Sequence, residues 1–449
     1  MTCIWYTKFA PRRSTGGLRG ENRMSTASIA TEKTGPTHIR WRVVALLFAL
    51  YTINCIDRIA LSVGLPVIGK EFDLSPSLQG LILSAFFWTY CGFQIPGGWA
   101  ADRWGGRRVL AWSTALWGSF QCLAAAAMGG LSLMLTRVGL GIFEAPYMPT
   151  ASKLVAAWLP PTERSRGVTF IDAGAPLGSA FGGLIISALI VFLDSWRLAF
   201  LSVGLLTLVF GAYVIWRLRN RPEQHPDVND AELSIIAARP SAASSADDDA
   251  ERHVSKRTFV AMILGRIGWT MIFFGLVTWG PNYLSSARSF DLKSMGYATF
   301  AIFAAGAVGS ILSGTLADWL QQRLPRDLAF KVLFGASGLV AIAGLLALPH
   351  VRDPVTAVVL LSVTILFHFF GSLYWTIPAM LAPRDRIGLI GGVMNFAGTS
   401  SGIAAPVIIG LLVQWTGGFD AVISYFTCCA AVYLIGSLLI DFRPAGAAR

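Results

Sequence analysis

Apolar residues run along this chain in stretches of membrane length, divided by short polar loops. In the amino half the stretches centre on Cys55, Trp88, Leu116, Glu144, Ser179 and Leu208. In the carboxyl half they centre on Met271, Gly306, Leu339, Phe367, Thr399 and Ala431. A helix that crosses a bilayer takes roughly 20 residues, so the pattern predicts about twelve spans. It divides the chain into a polar, disordered tail at 1–40, a six-helix bundle at 41–219, a linker at 220–257, a second six-helix bundle at 258–442 and a short tail at 443–449. The linker is rich in Ser, Ala and Asp and has too few apolar residues to pack a core, so it reads as flexible chain.

One stretch breaks the apolar pattern from within. Trp41 to Pro66 carries the adjacent pair Asp57 and Arg58 near its middle. Each ionisable group at the centre of a spanning helix costs about 2.5 to 3.5 kcal/mol on insertion scales, and such residues usually face a bundle interior along a pathway. The competing reading is a salt bridge that only orients helices.

Composition sharpens the class. Of 449 residues, 54% are hydrophobic and only 14% charged, with a mean hydropathy of +0.59, which a soluble domain rarely reaches. The net charge of +11 does not point to nucleic acid, because the Lys and Arg sit in short loops and the tail instead of forming a patch. Arg103, Arg107 and Arg108, then Arg164 and Arg166, Arg217, Arg219 and Arg221, Arg323 and Arg326, and Arg384 and Arg386 alternate with loops poor in basic residues. By the positive-inside rule both termini are cytoplasmic and the protein sits multi-pass in the cell membrane. No apolar segment before a cleavage site precedes the first span, which therefore serves as its own signal, and Met24 is as good a start as Met1. Cys55, Cys91, Cys122, Cys428 and Cys429 lie in apolar runs without metal-ligand spacing and read as small core residues; no metal or other cofactor is implied.

The halves repeat. Gly98 and Asp102 recur as Gly314 and Asp318, and Gly167, Gly174 and Gly178 recur as Gly391, Gly398 and Gly402 at one constant offset. Each copy falls in the corresponding span of its half, as parallel six-helix repeats require.

The loop Gly98-x-x-x-Asp102-Arg103-x-Gly105-x-Arg107-Arg108 resembles the signature between the second and third helices of the major facilitator superfamily. The resemblance implies an all-α membrane protein of twelve transmembrane helices in two pseudo-symmetric six-helix bundles. It also implies a transporter whose loop charges tie helix ends together on the cytoplasmic side and release them as the bundles rock. Four further places, Asn54 to Arg58, Arg137 to Pro146, Asp172 to Gly178 and Trp279 to Leu284, resemble the anion:cation symporter branch, whose members move sugar acids, aromatic acids and other organic anions, commonly with protons. Carried over from that branch, Tyr90, Gln94, Ser372, Trp375, Asn395 and Thr399 become candidates to bind substrate. Ala175-Pro176 stands where sugar-acid members tend to show a polar side chain, which favours a less hydroxylated or aromatic anion.

Geometry supports part of this on its own. Arg137 and Glu144 are seven residues apart, about 20° from alignment on one helix face. Asp57 and Glu144 both fall near mid-membrane with Arg58 and Arg137 at similar height, so two acids and two bases are placed to neutralise one another. An entering carboxylate offers Arg58 a bidentate partner. Asp57 or Glu144, left without that cation, then takes up a proton, which couples the two ligands reciprocally. Asp172 is an extra buried acid that could couple a proton, bind a cationic group or pair with Arg266. His368 could titrate or simply pack.

The expectation is therefore uptake of a small organic anion with protons by a monomer in the lipid bilayer. An exporter is the first alternative, since Gly174 to Gly183 partly resembles the glycine-proline motif of drug antiporters but misses its spacing. A membrane sensor lacks an output domain. An enzyme is not indicated: there is no HExxH, and the one GxSxG match, at Gly398 to Gly402, lies inside an apolar span.

Overall fold

The computed structural model describes residues 35–160, 163–237, 254–382 and 387–442. The tails at 1–34 and 443–449, the linker stretch 238–253 and the pair Arg384 and Arg386 lie outside the described residues. Among the described residues the regular elements are all helical. The first half comprises Ile39–Glu71, Pro76–Trp104, Gly106–Ala124, then Gly130–Glu144 continuing as Tyr147–Trp158, then Arg164–Asp172 continuing as Gly174–Leu193, and Trp196–Arg217. The second comprises Lys256–Arg288, Leu292–Gln321, Arg326–Ala347, then Pro354–His368 continuing through the 3-10 turns Phe369–Thr376 to Ile377–Leu381, then Ile387–Thr416, and Asp420–Leu438. Ten of these spans are long and apolar enough to cross a membrane. The third, which opens on Arg107 and Arg108, and the fourth, interrupted at Ala145-Pro146, complete the twelve. Proline there removes a helix donor and crowds the preceding turn.

Short side chains close the loops between spans. Ser75, Ser195, Ser255, Asp291 and Asp353 each accept the amide three residues on and so cap the helix that follows.

The two halves meet along the span ends remote from the termini. A methyl group at Gly80 would stand 2.4 Å from the Pro406 carbonyl oxygen, and one at Gly183 would stand 2.4 Å from the Thr299 methyl. Those distances are possible only for glycine, and they let the second span lie on the eleventh and the fifth on the eighth. Hydrogen bonds cross the seam from the Ser77 amide to Gln414, from Asn282 to Gln79 and from the Ser84 hydroxyl to the Ile403 carbonyl. Among the described residues, none crosses between the halves at the span ends nearer the termini.

The first part of the linker departs from the expectation of flexible chain. Asp230–Ala237 is helical and its Glu232 is fully buried. The carboxylate accepts from the Ile39 amide at 3.0 Å, the Arg40 amide at 2.9 Å, Arg40 Nη1 at 3.2 Å and the Thr37 hydroxyl. His38, which precedes the first span, makes no side-chain cap of its own, so Glu232 supplies the missing N-cap from the linker. Arg40 also bridges to Glu163 at 3.0 Å, which ties in the start of the fifth span. One carboxylate with four donors does what a run of apolar residues would otherwise do.

Burial pushes Glu232 up, but the bonds from Thr37, the Arg40 and Ile39 amides and the Arg40 guanidinium outweigh it and hold the carboxyl below its ordinary value. A depressed carboxyl contributes its full stability above the unfolded value of about 4.3 and loses it as pH falls through the folded one. Glu232→Ala is expected to accelerate amide hydrogen exchange in Asp230–Ala237 and in the first turn of the first span severalfold, and acidification of the wild type below about pH 4 to do the same. Unchanged exchange in the variant would show that the linker helix docks without this carboxylate.

Candidate functional site

A cavity of about 130 Å³ lies between the halves. Its wall includes Arg58 from the first span, Tyr90 and Gln94 from the second, and Asp172 from the fifth. Across from them stand Arg266 from the seventh, Ser372 and Trp375 from the tenth, and Asn395 and Thr399 from the eleventh. All the neutral substrate candidates picked out in the sequence therefore share one cavity.

The four charges expected to neutralise one another lie within electrostatic reach of one another, but only Arg58 and Glu144 form an ion pair. Arg58 Nη2 pairs with Glu144 Oε2 at 2.9 Å and bonds Asn54 Oδ1 at 3.1 Å. Its guanidinium lies 4.8 Å from the Phe86 ring centre and 4.7 Å from that of Tyr90, so aromatic faces screen the charge. Arg137 donates to the Arg58 backbone carbonyl at 3.1 Å and stands 5.1 Å from the Phe86 ring centre. It thus braces the helix that carries Arg58 instead of bonding an acid. Asp57 points away from the cavity, where Oδ2 accepts from Trp117 Nε1 at 3.1 Å and from the Thr207 hydroxyl at 2.8 Å. The reason is angular: neighbours on a helix diverge by about 100°, so Asp57 and Arg58 cannot face the same partner. Both acids are fully buried and keep one oxygen, Asp57 Oδ1 and Glu144 Oε1, without a hydrogen-bond partner.

On the opposite wall the Arg266 guanidinium lies 4.7 Å from the ring centre of Trp269 and 4.8 Å from that of Trp375. Trp269 donates its indole N–H to the His368 carbonyl at 2.7 Å, and the two rings stack at 5.5 Å. His368 is thereby a buried packing residue that fixes the tryptophan, and it does not line the cavity. Ser372 shares a hydrogen bond with Ser313. Trp117, Thr207, Phe86 and Trp269 were missed in the sequence, although Trp269 lies one turn from Arg266 and Phe86 one turn from Tyr90.

The comparisons with known proteins bear on the family and the fold. Residues 47–406 match the family model for the Major Facilitator Superfamily. The chain belongs to that superfamily. It is 31% identical to the probable sulfoacetate transporter SauU of Cupriavidus necator over 90% of this chain and 94% of that protein. It is 28% identical to the probable galactarate/D-glucarate transporter GudP of Escherichia coli over 93% and 96%, and 27% identical to the hexuronate transporter of Bacillus subtilis over 90% and 96%. Among solved structures, a bacterial homologue of the human lysosomal transporter Spinster, inward-facing and unoccupied, superposes with a TM-score of 0.69 at 20% identity, covering 89% of this chain and 94% of that one. The D-xylose-proton symporter superposes with a TM-score of 0.68 at 15% identity, covering 91% and 98%. Superfamily and relatives are transporters and not enzymes, and the relatives fall in the organic-anion branch that the motifs resemble.

The superfamily's loop signature takes a definite form here. Gly105 adopts φ 85°, a conformation suited to glycine, and the following helix is capped by Asn220 Oδ1, which accepts the Arg107 amide at 2.8 Å. Arg107 Nε donates to the Ile215 carbonyl at 3.0 Å. Asp102 pairs with Lys153 at 2.8 Å within the same half, Arg103 stands 5.9 Å from the Trp99 ring centre, and Arg108 is exposed. Close backbone approach in this loop occurs at Gly97 and not at Gly98: a methyl at Gly97 would stand 2.6 Å from Pro146 Cα, whereas at Gly98 the nearest atom is Pro149 Cβ at an ordinary 3.6 Å.

Because Arg58 is, among the described residues, the one cation within salt-bridge reach of Glu144, Arg58→Ala strands a buried charge. Thermal unfolding in detergent should show a loss of about 3–5 kcal/mol, with Arg58→Ala/Glu144→Gln recovering a large part of it. Equal stability of the single and double variants would mean that the pair carries no such coupling.

Proposed function

We propose that this transporter takes up a small organic anion together with protons, working as a monomer by alternating access of its two bundles across the cell membrane. The observation that carries the reading is the position of Arg58: on the cavity wall, with Glu144 behind it at 2.9 Å. A carboxylate or sulfonate entering the cavity is a better partner for the planar guanidinium than the buried acid, because it can accept two parallel hydrogen bonds. Once Arg58 turns to substrate, Glu144 is left in an apolar bundle without its cation and holds a proton instead. Anion and proton thereby favour one another, and the coupling is reciprocal. Asp57, with its free Oδ1, is a second site where a coupling proton can sit.

The relatives named for sulfoacetate, galactarate/D-glucarate and hexuronate support an anionic cargo. Tyr90, Gln94, Ser372, Trp375, Asn395 and Thr399 are positioned to bind its uncharged parts and far end. With both termini cytoplasmic, as the basic loops suggest, the glycine-packed seam closes the outer face. On the inner face Asp102 pairs inside its own half, which leaves the Gly98 to Arg108 loop free to engage and release the other half during the cycle. Two arginines on the wall make the cavity a poor host for a cationic drug, since like charges in a desolvated space repel.

Glu144→Gln is expected to retain exchange of internal for external substrate while losing accumulation driven by a pH gradient, both measured with reconstituted full-length protein. Undiminished uphill transport in the variant would remove Glu144 from the coupling.

A further inference from the structure

Among the described residues Arg137 and Arg266 are both buried arginines without an ion pair, and of the two only Arg266 lines the cavity. It is only 4% exposed, yet its Nε and Nη1 have no hydrogen-bond partner, and among the described residues it closes no ion pair within 4 Å. Arg58 also has an unpartnered Nε, but its Nη2 reaches both Glu144 and Asn54. Burying charged donors without acceptors costs more than leaving neutral ones unmade. A side chain in that condition lowers stability unless something from outside completes it.

The surroundings hold it there. Trp269 and Trp375 both lie within cation–π reach of its guanidinium, and neither ring can accept the in-plane N–H groups as a carboxylate would. Gly398 clears its flank, since a methyl there would stand 3.0 Å from Nε, and Gly371 makes room for Trp269, whose ring a methyl would meet at 2.2 Å. These two glycines, the indole bond to His368 and the two tryptophans form a built socket that opens on the cavity. Asp172, the acid across the cavity, interacts with Arg266 through space but stays beyond ion-pair distance.

Resting on the reading of the cavity as an organic-anion site, we propose that its preferred substrate is a compact dianion, one anionic end on Arg58 and the other on Arg266. A monoanion on Arg58 leaves the second guanidinium as it was; a second carboxylate or a sulfonate supplies its missing acceptors. The middle of the substrate carries few hydroxyls. Ala173, Ala175 and Pro176 give the fifth-span wall no side-chain donors, and the Ser179 and Thr270 hydroxyls are already bonded to the Ala175 and Arg266 carbonyls.

The test measures binding of matched acids to purified full-length protein by ligand-dependent thermal shift. The pairs are succinate with its half-amide succinamate, galactarate with galactonate, and sulfoacetate with methanesulfonate. In the wild type the dianion of at least one pair should bind tenfold or more tighter than its monoanion. Arg266→Gln should bring that dianion down to the monoanion's affinity while leaving the monoanion unchanged, and Arg266→Lys should keep part of the preference, which separates a lost ligand from a misfolded variant. Equal binding of both members in every pair, or equal weakening of both by Arg266→Gln, overturns the dianion assignment and leaves an organic-anion site standing. Recovery of dianion preference in Arg266→Gln/Asp172→Asn would also overturn it, since Arg266 would then only balance Asp172. Binding of none of the six acids contradicts the organic-anion reading itself, and the dianion falls with it.

Discussion

Charge inside a bilayer must be compensated, and the first-half bundle is arranged around one such compensation. Arg58 and Glu144 meet at 2.9 Å from the first and fourth spans, and much nearby structure serves that meeting. Phe86 lies close to both Arg58 and Arg137, while Arg137 holds the carbonyl of the residue it braces. A methyl at Gly141 would stand 2.2 Å from the Phe86 carbonyl oxygen, so the fourth span reaches this depth against the second only with glycine there. The pair is therefore a product of close backbone packing, and it holds only while no better acceptor reaches Arg58. A buried ion pair of this kind adds little to net stability, and its value lies in having two states.

The same bundle holds its other acid apart from the pair. Trp117 and Thr207 hold Asp57 on the far side of the helix, so the cavity is faced by a cation whose acid stands directly behind it. Across the cavity the chain uses broken helix instead. The tenth span gives way to 3-10 turns at Phe369–Thr376, just after the His368 carbonyl that receives Trp269. Regular helix thus packs the seam remote from the termini, and interrupted helix lies beside the cavity. Irregular backbone at membrane depth is tolerated where it lines a cavity.

Most of the architecture was legible in the sequence, because membrane-length apolar runs, basic loops and the Gly98 to Arg108 signature are local properties. The cavity residues were legible too: Arg58, Tyr90, Ser372, Trp375 and Asn395 do line one space. What spacing could not settle was direction. Asp57 and Arg58 are adjacent in sequence and so point apart, while Arg137 and Glu144 share a face, yet one bonds a backbone carbonyl and the other a side chain. Gly97 and Gly98 are indistinguishable in the chain, and only the packing of Pro146 separates them. The linker misled for a different reason. Composition reports whether a segment can build its own core, and Asp230–Ala237 borrows the unfinished end of another helix through Glu232. Arg266 stood out as a buried charge, but its two tryptophans come from separate spans and their convergence needed the fold.

The central claim, that an anion on Arg58 draws a proton in with it, is tested most directly by the external pH of a de-energised suspension of cells making this protein. Sugar acids, aromatic acids, dicarboxylates and sulfonates are added in turn, and Arg58→Ala cells serve as the control. Alkalinisation on addition of one class of acid, absent with Arg58→Ala, is the result the account predicts. No alkalinisation with any acid, from protein shown to be in the membrane, would contradict it.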